Sequence, residues 1–276
     1  MNWLKAVESA LTVALDDVAA LTAESFPLDE PVRVDVALPE SILPLLVVRR
    51  DSPRLVILHN GAVDLERSEG RPIFQRSSWW PDIQASQIFV CDPGTVGPEA
   101  ISLNWLQAGP PVWPAHLTTK VILLLAKSLG APRPEQRTYF GSSAGGFGAL
   151  ACLAYDVRAR AIVNNAQFDW TRWYPHQVRD VLTRRFPGHL AADVRRKWPY
   201  RTNVLRHLSR GRVPLQIDFW VNLASQYDRD IQMPIWVDFL KKSPLVAGNS
   251  TLHTYFDEES GHNPLSREKT LELLNG

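Results

Sequence analysis

The fold of this chain is decided by the stretch YFGSSAGGFGAL, which runs from Tyr139 to Leu150 and holds a Gly-x-Ser-x-Gly pattern centred on Ser143. Residues 137–140 are typical of a strand end, and the small residues from Ala144 to Tyr155 favour a helix. A serine between a strand and a helix lies on a sharp turn that exposes its hydroxyl, and the flanking glycines allow other backbone to approach closely. The pattern predicts a nucleophilic Ser143, with a purely structural glycine-rich turn as the alternative.

Length and composition set the limits for the rest of the chain. Its 276 residues suffice for one large α/β domain or two small ones, and 45% apolar residues can build a sizeable core. Thirty basic residues against 29 acidic ones argue against a nucleic-acid-binding protein. Cys91 and Cys152 lack metal-ligand spacing and are expected to be buried hydrophobes. The sequence therefore predicts neither a metal site nor a cofactor.

The N-terminus carries no recognisable targeting segment. Charged residues interrupt its apolar stretch, and no uncharged apolar run reaches the roughly 18 residues that a membrane span needs. A cytoplasmic protein without a membrane span is the default expectation. Apolar residues at helical spacing predict an amphipathic N-terminal helix. They are Trp3, Leu4, Val7, Leu11, Leu15 and Val18.

Apolar runs bounded by turn signals predict most of the sheet. The predicted strands are 32–36, 45–49, 55–59, 86–91, 160–164, 215–223 and 251–256, with the strand that ends near Phe140 among them. A helix is expected over 115–129, where Gly130 closes it. Because strands alternate with helices, the fold class is α/β, with a mostly parallel central sheet flanked by helices.

Residues 168–212 break this alternation. The segment is rich in tryptophan and holds ten arginines and one lysine against three aspartates. An insertion at this point of the strand order would lie over the sheet edge from which Ser143 emerges. We expect a helical lid inside a single domain that covers 1–276. Its positive charge either attracts an anionic substrate or forms a solvated face whose charges pair with acids elsewhere.

A serine hydroxyl becomes a nucleophile only when a base takes its proton, and a third group must orient that base. Asp228 follows the predicted strand 215–223, and His262 follows the last strand, so both would meet Ser143 at one edge of the sheet. Asp230 is an alternative acid, less favoured because it lies further from the strand end. His253 is an alternative base, but it falls inside a strand.

The oxyanion that forms when a serine attacks a carbonyl needs two preorganised hydrogen-bond donors. The backbone N–H of Ala144 is expected to be one of them because this residue follows the nucleophile. The second would come from the loop after strand 55–59, through Ala62 or Gly61. An ordinary strand-to-loop turn is the alternative for this segment.

Tryptophan side chains could form a flat wall for a substrate. Trp79, Trp80 and Trp173 are the candidates, although each is equally suited to packing in the core or the lid. We expect these three tryptophans to contribute to substrate binding.

Together these features resemble the α/β-hydrolase superfamily of serine hydrolases. The resemblance rests on Gly141-x-Ser143-x-Gly145, the acid after a later strand, the Gly261-His262 loop and the upstream loop 60–62. It implies an eight-stranded type of sheet and a Ser143–His262–Asp228 triad that acts through an acyl-enzyme. Short stretches at 60–64, 76–79 and 92–93 resemble bacterial hydrolase-like proteins of cell-surface glycan or glycoprotein processing. The chain lacks the His-Gly-Gly-Gly run of lipases, so their oxyanion loop does not carry over.

The sequence is compatible with three functions. The first is hydrolysis of a carboxylic ester, and the second is acyl transfer by the same serine to a hydroxyl acceptor such as a glycan. The third is a non-catalytic interaction protein, which would have no chemical need for all three side chains. A small-molecule or glycan ester is the expected partner, and the sequence leaves the oligomeric state open.

Overall fold

The structure, a computed structural model, describes residues 9–211 and 213–276. Over these residues the chain forms a single sheet of nine strands. They are β1 (Ala10–Ala14), β2 (Pro31–Leu38), β3 (Ser41–Val48), β4 (Leu55–His59), β5 (Ser86–Val90), β6 (Arg137–Ser142), β7 (Arg160–Asn164), β8 (Gln216–Asn222) and β9 (Thr251–Tyr255). Their order across the sheet is β1-β2-β3-β5-β4-β6-β7-β8-β9.

Strand direction brings the loops after the parallel strands to one side of the sheet, at the carboxyl ends of those strands. β3 runs antiparallel to both of its neighbours, and every other adjacent pair is parallel. The register between β4 and β6 sets His59 opposite Gly141. The loops that follow β4, β6, β7, β8 and β9 therefore leave the sheet on the same side.

Helices cover both faces of the sheet. They are α1 (Leu65–Ser68), α2 (Pro114–Ser128), α3 (Ala144–Leu153), α4 (Pro175–Arg185), α5 (Ala191–Lys197), α6 (Pro199–Thr202), α7 (Val204–Leu208), α8 (Met233–Lys242), α9 (Pro244–Ala247) and α10 (Arg267–Asn275). The larger core lies between the sheet and helices that include α2, α3 and α7. A smaller core on the other face packs against α10 and the segment Ser77–Asp82. None of the helices in the described residues is long and apolar enough to cross a bilayer.

The predicted strands and the α/β class are confirmed, with bounds that shift by a few residues. The predicted N-terminal helix is wrong where the structure describes it. Leu11 lies in β1, which pairs with β2 at the sheet edge, and Leu15 begins a short 3₁₀ helix, Leu15–Ala20. An open sheet edge and the β-branched residues of the segment favour a strand over the helical spacing. The predicted positions Trp3, Leu4 and Val7 lie outside the described residues.

The segment 168–211 after β7 (the inserted segment) contains α4 to α7 and packs into the larger core. Trp170 and Phe186 are buried there, and the ring of Trp170 stacks on Trp105 with the centroids 5.7 Å apart. Much of its positive charge is used within the fold. Three arginines form ion pairs with acids, namely Arg172 with Asp169, Arg184 with Glu99 and Arg196 with Asp193. Two others donate to backbone carbonyls, Arg185 to Gly94 and Arg201 to Ala108.

A buried ion pair fixes β6 against α3. Arg137, the first residue of β6, donates to both carboxylate oxygens of Asp156 at 2.7 and 2.6 Å. The hydroxyl of Tyr139 donates to the same carboxylate at 2.9 Å. Because Asp156 follows the end of α3, this network holds together the two elements that flank Ser143.

Candidate active site

Ser143 lies on a strained turn between β6 and α3. Its backbone has φ 56° and ψ −127°, a conformation that costs energy for any residue other than glycine. A Cβ atom at Gly141 would lie 2.1 Å from the carbonyl oxygen of Gly145, and one at Gly145 would lie 2.6 Å from that of His59. Glycine is therefore required on both sides of the serine, as the sequence pattern predicts.

The three side chains expected to act together lie in hydrogen-bond contact. His262 Nε2 is 2.9 Å from Ser143 Oγ, and His262 Nδ1 is 2.6 Å from Asp228 Oδ2. Asp228 is fully buried, whereas Asp230 is half-exposed and pairs with Arg229. The alternative base His253 stacks on Trp220 within the sheet, with the ring centroids 4.0 Å apart. The geometry therefore favours Asp228 and His262 over their rivals.

Asparagines at the strand ends hold the loop that carries His262. Asn165, directly after β7, donates from Nδ2 to the carbonyl oxygens of His262 and Asn263, both at 3.1 Å. Asn222, the last residue of β8, donates to the carbonyl oxygen of Gly261 at 2.8 Å. Because buried amides keep these carbonyls in place, the imidazole stays directed at Ser143.

Gln167 is a site residue that the sequence analysis missed. Its Nε2 donates to Ser143 Oγ at 2.8 Å, and its Oε1 accepts from the indole of Trp105 at 2.5 Å. The side chain is fully buried. The amide side chains of Asn164, Asn165 and Gln167, at and just after the end of β7, were the available signal, because this segment leaves the sheet on the same side as Ser143.

The loop after β4 lies against the nucleophile. A Cβ atom at Gly61 would lie 3.9 Å from the Cβ of Ser143. Gln75 clamps this loop, since its Oε1 accepts from the N–H of Gly61 at 2.8 Å and its Nε2 donates to the carbonyl of Ala62 at 2.7 Å. The N–H of Gly61 is thus occupied. The N–H groups of Ala62 and Ala144 have no partner among the described residues.

The three candidate tryptophans lie in different places. Trp173, in the inserted segment, is buried, and its ring centroid is 4.6 Å from that of His262. Trp79 is half-buried under the guanidinium of Arg76. Trp80 is not brought to the serine. It stacks with Arg50, whose N–H donates to Ser86 at the amino end of β5, on the opposite edge of the sheet.

The neighbouring hydroxyl, that of Ser142, is already engaged. It accepts a hydrogen bond of 2.7 Å from Nη2 of Arg76.

A cavity of about 360 Å³ opens away from this serine, beside the turn between β2 and β3, and it is lined by residues that include Ile42 and Arg185. Neither Ser143 nor His262 lines it. The geometry of the serine, rather than the size of this cavity, identifies the candidate site.

No family model and no curated protein sequence matches the chain. Solved structures do resemble it in shape. The capsule O-acetyltransferase of Neisseria meningitidis serogroup A matches with a TM-score of 0.60 at 13% identity, over 88% of this chain and 94% of that one. An acetyl xylan esterase from Paenibacillus sp. R4 matches with a TM-score of 0.53 at 16% identity, over 94% and 92%. The chain has the α/β-hydrolase fold.

A third solved structure with a similar fold is a chain of a protein complex. A chain of the glycosylation-associated Gap123 complex from Streptococcus agalactiae matches with a TM-score of 0.61 at 12% identity, over 85% of this chain and 43% of that one. This chain therefore spans less than half of the length of that chain. At such identities the α/β-hydrolase fold is what is shared, so function has to be argued from the site itself.

Proposed function

We propose that this protein is a serine hydrolase that cleaves a carboxylic ester through Ser143, His262 and Asp228. The observation that carries the proposal is the continuous hydrogen bonding from Ser143 Oγ to His262 at 2.9 Å and from His262 to Asp228 at 2.6 Å. This arrangement on a strained strand-to-helix turn is the recurring solution for activating a serine.

Each side chain has a distinct task in the proposed reaction. As Ser143 Oγ attacks the ester carbonyl, its proton passes to His262 Nε2, and the same proton later leaves with the alcohol. Asp228 accepts from Nδ1, which fixes the tautomer and stabilises the cation that forms. His262 then takes a proton from a second nucleophile, which attacks the carbonyl of the acyl-enzyme. The bond between the acyl group and Ser143 Oγ breaks, and His262 returns the proton to Oγ.

The oxyanion would be bound by the backbone N–H groups of Ala144 and Ala62. Both lack a partner among the described residues, and both belong to segments that touch Ser143. Gln75 supports this role because it accepts from the N–H of Gly61 and donates to the carbonyl of Ala62. These bonds fix the loop and leave the N–H of Ala62 available. Donors fixed before the reaction contribute most to such stabilisation.

Acyl transfer to a hydroxyl acceptor is the second candidate. The similarity in fold to a capsule O-acetyltransferase favours it. So does Trp173, which covers one side of the His262 ring and would limit access of water to the acyl-enzyme. Hydrolysis and transfer share every step up to the acyl-enzyme, so the acceptor distinguishes them.

Turnover of nitrophenyl esters with short and long acyl chains tests the proposal. We expect ester cleavage that Ser143→Ala abolishes, with the acyl-chain preference bounding the acyl pocket. Faster nitrophenol release on adding sugars or alcohols, with acylated acceptor found by mass spectrometry, would favour the transferase. Absence of turnover with every ester and acceptor would support the non-catalytic interaction protein.

A further inference from the structure

Arg76 has an unusual environment for an arginine. The residue as a whole is half-buried. Its Nη2 donates to Ser142 Oγ, but its Nε is shielded from water without a hydrogen-bond partner. The guanidinium carbon lies 5.2 Å from the ring centroid of Phe140 and 5.7 Å from that of Trp79. Among the described residues, no carboxylate forms an ion pair with it. Arg137, by contrast, is buried together with Asp156.

Holding Arg76 in this environment costs free energy. Burial lowers the pKa of Arg76 to about 10, and no acid nearby offsets this effect. The backbone at Arg76 has φ 65°, which is unfavourable for a residue with a Cβ. Charges shielded from water in proteins are normally paired, and a shielded guanidinium without an acid marks a candidate functional site.

Arg76 also contacts the residue next to the nucleophile. Its hydrogen-bond acceptor Ser142 directly precedes Ser143 at the carboxyl end of β6. The residue before it, Gln75, clamps the loop that carries the N–H of Ala62. Arg76 is thus fixed between two neighbours of the site, because its guanidinium bonds Ser142 and the preceding residue bonds the proposed oxyanion loop.

We propose that Arg76 is a substrate-binding residue that receives an anionic group, a carboxylate, phosphate or sulfate, on the ester that Ser143 attacks. This inference rests on the proposed function and names its substrate class. A planar guanidinium suits these oxyanions because it offers parallel N–H donors. The arginines of the inserted segment that pair with acids, such as Arg184, are less suited because their charge is already balanced.

Matched esters test this inference. On the acyl side, mono(4-nitrophenyl) adipate is compared with the neutral ester in which a primary amide replaces its free carboxylate. On the leaving-group side, 4-acetoxybenzoate is compared with 4-acetoxybenzamide. We expect wild-type kcat/KM to favour the anion at least about 10-fold in one pair, the scale of one charge-assisted hydrogen bond, and to lose this preference in Arg76→Gln. The pair that responds shows which side of the ester carries the charge.

Arg71→Gln is the matched control, because Arg71 is exposed and pairs with Glu69. It should keep the wild-type preference. An equal preference in wild type and Arg76→Gln would overturn the inference. So would a wild type that does not favour the anion in either pair, a result that holds even if Arg76→Gln fails to fold.

Failure of the proposed function gives a different pattern. If no ester is turned over, the same four compounds are titrated calorimetrically into the Ser143→Ala variant, with and without Arg76→Gln. Tighter binding of an anionic member that depends on Arg76 supports the binding site without the chemistry. Equal binding of both members of each pair overturns it.

Discussion

Gln167 Nε2 lies 2.8 Å from Ser143 Oγ and donates a hydrogen bond to it. The direction is fixed because the indole of Trp105 can only donate, and it occupies the amide oxygen of Gln167. Ser143 Oγ therefore accepts from Gln167 and has its own proton free for His262. A glutamine outside the triad thus sets the direction of the hydroxyl that the proposed mechanism uses.

Replacing Gln167 should slow acylation. Gln167→Leu removes one donor, and we expect kcat/KM for a nitrophenyl ester to fall about 10-fold. Gln167→Glu should cost more, because its carboxylate would accept the hydroxyl proton in competition with His262. Gln84→Glu, an exposed change at the opposite edge of the sheet, is the control. Wild-type kinetics in Gln167→Glu would refute this role.

The two neighbouring aspartates should differ sharply. Asp228→Asn keeps the shape of the buried side chain but replaces the carboxylate that fixes the His262 tautomer, so kcat should fall about 10³- to 10⁴-fold. Asp230→Asn changes only an exposed pair with Arg229 and should stay within about 2-fold. Steady-state ester kinetics on both variants decide between them. A larger loss in Asp230→Asn would reverse the assignment of the acid.

The buried ion pair between Arg137 and Asp156 should matter for stability. Asp156→Asn leaves Arg137 buried without its carboxylate, so the free energy of unfolding should fall by about 3–5 kcal/mol in urea denaturation. Asp238→Asn breaks an exposed pair with Lys242 and should cost less than about 1 kcal/mol. Similar losses in the two variants would show that the buried network does not fix β6 against α3.

Acid should destabilise the protein partly through His207. Burial lowers its pKa to about 4, and both ring nitrogens lack partners within its aromatic surroundings. Between pH 6.5 and 4 the unfolded chain binds a proton there that the folded protein does not, so stability falls as pH falls. His207→Phe should flatten this slope by up to about 1.4 kcal/mol per pH unit. The exposed His176→Phe should not, and equal slopes in both variants would contradict the prediction.

Much of the site could be predicted because it depends on local sequence and strand order. The glycines around Ser143 reflect a turn that only glycine permits, and Asp228 and His262 each follow a recognisable strand. Since parallel strands deliver their carboxyl ends to one edge, order along the chain was enough to bring these residues together.

Other parts depend on contacts that no local pattern records. Gln167 and Arg76 each lie in irregular segments, and their roles arise from partners 24 and 66 positions away in sequence. The strand β1 was missed because pairing with β2 outweighs a helical spacing of apolar residues. Trp80 was misplaced because an aromatic run carries no information about which edge of the sheet it faces.

Covalent labelling with a fluorophosphonate, read by mass spectrometry of the tryptic peptides, tests the central proposal most directly. We expect an adduct on Ser143 that forms in wild type and in Ser142→Ala, is absent in Ser143→Ala and forms much more slowly in Asp228→Asn. An unlabelled wild type, or equal labelling of wild type and Ser143→Ala, would contradict it.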